Sequence, residues 1–122
     1  MGTSVVVLES DPKTAQSLAG GLRSHFHSVY LTCSRDELRA QLTQNLPEVV
    51  VLDIESSRLT DVASLHDEFP ALPIVCTHRV PDEEMWMAAL QAGASDVCAA
   101  SDVDNVLTSV LRSVTVARHS SA

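Results

Sequence analysis

Two short runs, Val5-Val6-Val7-Leu8 and Val49-Val50-Val51-Leu52, are wholly apolar and mostly β-branched, and each is followed at once by an acid, Glu9 and Asp53. Four such residues are too few for a core helix and too continuous for a strand with one wet face. Each therefore reads as a strand buried on both sides. Strands of that kind belong to parallel sheets covered by helices, and each parallel pair needs a crossover segment between its members.

The rest of the chain supplies those segments. After the first run, Ser10-Asp11-Pro12 offers an N-cap and a proline at the first helical position, and Ala15, Leu18, Ala19, Leu22 and Phe26 repeat at helical spacing. Ser28 to Leu31 reads as a short strand, and Ser34 with Glu37 as a capping box opening a helix with Leu38 and Leu42. A weaker helix carrying Val62, Leu65, His66 and Phe69 stops before Pro70, and Ile74-Val75-Cys76 is the next strand. Pro81 with Asp82, Glu83 and Glu84 makes an acidic helix start, and Gly93 stands where such a helix ends. Asp96-Val97-Cys98 is a fifth strand, and Asp102 caps a last helix on Val103, Val106, Leu107, Val110, Leu111 and Val114. The expected fold class is α/β: a doubly wound, five-stranded parallel sheet of order 2-1-3-4-5 with helices on both faces. The 122 residues fit one domain, expected over residues 1–118, with a polar tail at 119–122 and a fraying, polar stretch from Ser113 onward.

Composition excludes several functions. Sixteen acids against eight bases give a net charge of -8, which repels phosphate backbones and anionic headgroups, so no direct nucleic-acid or membrane partner is expected. No run approaches the roughly 20 apolar residues needed to span a bilayer, and no secretory leader is evident, so a cytoplasmic location is expected. Cys33, Cys76 and Cys98 lack metal-ligand spacing and are expected to be reduced and mostly buried. His25 and His27, two apart at a helix end, are expected to be solvated rather than a metal pair.

In a sheet of this order, ligands bind beyond the carboxyl ends of the strands, where the first and third strands part. Glu9 and Asp53 should face each other there, with Thr77 or His78 as the next neighbour. Two carboxylates so placed repel, and a hard cation such as Mg²⁺ stabilises them. The turn Glu9-Ser10-Asp11-Pro12 has no glycines to cradle a phosphate, which argues against a nucleotide-type small-ligand site. On the fourth helix, Trp86 and Leu90 stand one turn apart, a pairing suited to a partner surface.

The stretches VVVLESDP (Val5 to Pro12), PEVVVLDIE (Pro47 to Glu55), FPALPIVCT (Phe69 to Thr77) and LQAGASDV (Leu90 to Val97) together resemble the receiver domain of bacterial two-component response regulators, a family with the flavodoxin-like sheet order. The resemblance covers nearly the whole chain. It implies that Asp53 is the candidate phosphoacceptor, modified by a histidine kinase, with phosphoryl acceptance and slow autodephosphorylation as the only enzymatic steps. It makes Thr77 the candidate switch residue, with His78 as the alternative in register. It also implies phosphorelay signalling, often with transcription regulation as its output, and docking or homodimer formation through the fourth helix, fifth strand and fifth helix.

Departures from the family pattern concern the same site. Two adjacent acids are expected after the first strand; here they align with Glu9 and Ser10, which leaves Glu9 and Asp53 as a weak Mg²⁺ site. The family's phosphoryl-binding lysine falls on Ala100 and the proline after it on Ser101, and the only lysine, Lys13, lies on the first helix. After Asp53 the usual proline and glycine turn is missing and shortened, so that loop or the third helix must be rebuilt. The expectation is an atypical receiver that works by protein contact.

Overall fold

The computed structural model describes residues 3–55 and 57–120, the side chains of 118–120 excepted. Five strands alternate with five helices: β1 Ser4–Leu8, α1 Pro12–Leu22, β2 Ser28–Thr32, α2 Arg35–Gln44, β3 Val49–Asp53, α3 Leu59–Glu68, β4 Ile74–His78, α4 Glu83–Ala92, β5 Asp96–Ala99 and α5 Val103–Ser120. The strands form one sheet in the order β2-β1-β3-β4-β5, and every neighbouring pair is parallel.

Alternation along the strands sorts the core into two layers. Val6, Leu8, Val50, Leu52, Ile74 and Cys76 pack against Leu38 and Leu42 of α2, Val62 and Leu65 of α3 and Ala89 of α4. Val5, Val7, Val49, Val51, Val75 and Cys98 pack against Leu18 and Leu22 of α1 and Val106, Val110 and Val114 of α5. Every side chain of the two valine runs is buried, which is why those runs lack the alternation of a half-wet strand.

Four helices are capped by short acceptor side chains. Asp11 accepts from the Thr14 N–H ahead of Pro12, and Ser34 accepts from the Glu37 N–H. Asp82 accepts from the Met85 N–H and Asp102 from the Asn105 N–H. Gly93 ends α4 with φ 117°, a left-handed conformation that suits a residue without a side chain.

Three details differ from expectation. Cys33 is exposed, because it lies just past β2, where the chain leaves the sheet; Cys76 and Cys98 are buried as anticipated. β4 runs on to His78, two residues beyond the apolar run, because its neighbour β3 also continues to Asp53 and pairs it with Thr77. α5 continues past Ser113 to Ser120, since Val114 still reaches the core and anchors the following turn. Of the anticipated tail 119–122, residues 121 and 122 lie outside the described residues, as does Ser56 in the loop after β3. His25 and His27 are both exposed. No helix among the described residues is long and apolar enough to cross a membrane.

Candidate functional site at the carboxyl ends of the strands

Counting onward from the valines that face α1 and α5, the same parity places Glu9, Asp53, Thr77 and Ala100 on that side of the sheet, at its carboxyl edge. Here a cavity of about 450 Å³ opens, lined by Glu9, Ser10, Asp11, Thr14, Asp53, Glu55, Arg79 and Ala100. The sequence-predicted pair Glu9 and Asp53 is therefore brought together, and both residues are buried.

Among the described residues, four carboxylates and one base line this crevice, so its field is negative. Burial pushes the Glu9 carboxyl up to about 7; the Asp53 charge and a hydrogen bond to Asp53 add to this, while the Asp11 N–H, 3.2 Å from Glu9 Oε2, opposes it. Asp53 Oδ1 accepts from the Glu55 N–H at 2.9 Å, and Ser10 Oγ donates toward Oδ2 at 3.4 Å. Asp11 faces the crevice but is used as a helix cap: its carboxylate accepts from the Thr14 hydroxyl at 2.6 Å and from the Thr14 N–H, and both bonds hold its pKa down.

Thr77 is fully buried beside Asp53, and its Oγ1 has no hydrogen-bond partner among the described residues. His78 points to the opposite face of β4; its Nδ1 accepts from the Val80 N–H at 3.1 Å and lies 3.7 Å from Glu55 Oε1. Ala100, 7% exposed, brings no charge to the crevice, and Lys13 is exposed on α1, outside the lining. Arg79 does line the mouth, but Glu55 engages it: the carboxylate accepts the Arg79 N–H and lies 3.4 Å from Nε. Glu55 was missed by reasoning from sequence; its position two residues after Asp53, on the loop facing the end of β4, was the available signal.

The donors suit a hard cation in kind, all being oxygens, but fall short in number. Ser10 supplies a neutral hydroxyl, and no group of three His, Cys, Asp or Glu is arranged around a metal position among the described residues. On α4, Trp86 is 42% and Met87 48% exposed, Leu90 is half-buried, and Ala89 turns to the sheet. A second hollow, an apolar groove of about 510 Å³, lies at the other end of the sheet against Leu46, Phe69, Leu72 and Val114. It is larger, but the convergent carboxylates make the crevice the chemical site.

No protein-family model matches this chain, and a search of curated proteins gives no match. Solved structures do match. The N-terminal signal receiver domain of a two-component response regulator from Bacteroides fragilis is 21% identical, with a TM-score of 0.85 over 93% of this chain and 98% of that one. A CheY-like receiver domain protein from Methanospirillum hungatei is 13% identical, with a TM-score of 0.86 over 98% and 99%. The RcsB response regulator of Salmonella typhimurium, in a structure concerned with DNA interaction, is 13% identical, with a TM-score of 0.78 over 93% of this chain and 60% of that one. At these identities the likeness is one of architecture, and the conclusion it carries is that this chain has the fold of response-regulator receiver domains.

Proposed function

We propose that the chain is an atypical receiver domain of two-component signalling: a module that passes information by protein–protein contact, with conventional phosphorylation at Asp53 weak or absent. The observation that carries this reading is the charge balance of the crevice. A phosphoryl group on Asp53 would add negative charge among Glu9, Asp11 and Glu55, while Ala100 offers nothing to receive it and Arg79 is engaged by Glu55. A missing charge-assisted hydrogen bond is worth about 1.5–3 kcal/mol. Glu9 and Asp53 would hold Mg²⁺, weakly, because Ser10 adds no anionic ligand. A bound Mg²⁺ would neutralise the oxygens that the Asp53 carboxylate has to approach.

The module would act through a protein partner or a second copy, by way of α4, β5 and α5, with transcription regulation in the bacterial cytoplasm as the fitting output. The likeness to RcsB supports that output. A second reading, in which Asp53 accepts a phosphoryl group from a histidine kinase, is favoured by Thr77: a buried hydroxyl beside Asp53 without a partner is ready to donate to an added oxygen. In that reading a carboxylate oxygen of Asp53 attacks phosphorus, the kinase histidine leaves, and water later cleaves the acyl phosphate.

Titration with Mg²⁺ and then beryllofluoride, an aspartyl-phosphate mimic, separates the two readings, with Trp86 fluorescence and the amide spectrum as readouts. Silence at millimolar Mg²⁺ is the expected result. A saturable response at low concentration overturns the atypical reading and establishes the phosphoacceptor.

A further inference from the structure

Among the described residues, Arg79 is the one base on the lining of an otherwise acidic crevice, and the Glu55 side chain engages it. Glu55 donates its own N–H to Asp53 Oδ1 at 2.9 Å, while its carboxylate receives the Arg79 N–H, lies 3.4 Å from Arg79 Nε, and lies 3.7 Å from His78 Nδ1. It thus joins Asp53 to the segment between β4 and α4. The Arg79 side chain is 85% exposed, so little packing fixes its guanidinium, and Val80 beside it is 76% exposed. Two residues further on, Asp82 caps the helix that carries Trp86.

We infer that Arg79 is the crevice's anion ligand held in reserve: a phosphoryl-type anion seated on Asp53 draws the guanidinium away from Glu55, and the exchange loosens residues 78–80 and moves the start of α4. The inference rests on reading the crevice as a receiver-type site, and it assigns that site its cation and its link to the α4 surface. A surface ion pair such as Glu55–Arg79 is weak, so the exchange costs little. A multiply charged anion with several acceptor oxygens outcompetes a single carboxylate for a forked guanidinium. Glu55 opposes binding until it is displaced, because it both occupies Arg79 and repels the anion.

The test uses the whole chain in saturating Mg²⁺, titrated with beryllofluoride and followed by Trp86 fluorescence and by the amide resonances of Thr77 to Val80. Glu55→Gln is expected to bind about tenfold tighter than the unaltered protein, and Arg79→Ala about tenfold weaker. In the double variant only the smaller part of the gain, from the lost repulsion, should remain. Equal affinity of Arg79→Ala and the Glu55→Gln protein, a gain that survives undiminished in the double variant, or silence of Glu55→Gln would each overturn the inference. Tight binding by the unaltered chain would overturn the atypical reading alone, leaving Arg79→Ala to decide the role of Arg79. Unchanged dispersion of the other amide resonances confirms that the variants are folded.

Discussion

Among the carboxylates of the described residues, Glu9 is the one whose ionisation the fold most disturbs. Its carboxyl titrates near 7 in the folded chain against an ordinary 4.5, so the folded state binds more protons between those values. Stability without divalent cations should therefore rise as pH falls from 7 toward 4.5, by about 1 kcal/mol once solvent screening is allowed for. Denaturant midpoints of the unaltered protein and of Glu9→Gln, measured in chelator across that range, check this: the variant should lose the slope. Beside it, Ser10→Asp should improve Mg²⁺ affinity at least several-fold by adding a hard anionic ligand, as read by calorimetric titration. Tight Mg²⁺ binding by the unaltered chain would refute that account. Glu9 and Asp53 were legible in the sequence because each ends a run whose burial leaves no doubt about where the strand stops. Glu55 was not, since a loop residue reveals its partner only when the opposing strand end, here His78 and Arg79, is in place.

At the scale of elements, caps proved readable where a short acceptor side chain precedes a helical pattern, as at Asp11, Ser34 and Asp102, whereas Asp82 was read only as part of an acidic helix start. The start of α3 was not readable. Arg58 stands at the N-cap and cannot cap with its own side chain, so Asp61, three residues inside, accepts the Arg58 N–H at 2.9 Å instead. Asp61 also accepts from Arg35 at 2.9 Å, tying α3 to α2. Gly93 links two helices differently: a Cβ there would stand 2.5 Å from Cγ of His66 on α3, and φ is 117°. Gly93→Ala should therefore destabilise by about 2 kcal/mol or more through strain and collision together. Adding His66→Ala removes the ring but leaves the His66 Cβ 2.7 Å away, so it should recover only the ring's part of the collision and none of the backbone strain, and thermal midpoints of the double variant should lie a little above Gly93→Ala and well below the unaltered protein. Equal midpoints for Gly93→Ala with and without His66→Ala would show that the His66 ring carries no part of the cost.

For the molecule as a whole, class and strand order followed from the two doubly buried runs and the helical stretches between them, since right-handed crossovers leave few alternatives. The groove beside Leu46 and Val114 was invisible in the sequence because its walls come from three loops and helices distant in the chain. The face of α4 was half legible: spacing put Trp86 and Leu90 together, but only the fold leaves Trp86 exposed and Leu90 partly covered. Truncating an interface anchor typically costs about 2 kcal/mol or more of binding, against almost nothing at a merely exposed position. Trp86→Ala should thus weaken self-association or partner binding, measured by sedimentation equilibrium, with little change in thermal midpoint. A large fall in midpoint with association unchanged would make Trp86 a core residue and shift the contact surface toward Arg112. The segregation of the two core layers by odd and even strand positions also decides which insertions and deletions this chain can survive. One residue gained or lost in the middle of β3 would send Asp53 into the apolar layer under α2 and α3 and turn Leu52 into the crevice. Changes of length should therefore accumulate only in the connecting loops, and the distance from each valine run to its terminal acid should stay invariant as the sequence drifts.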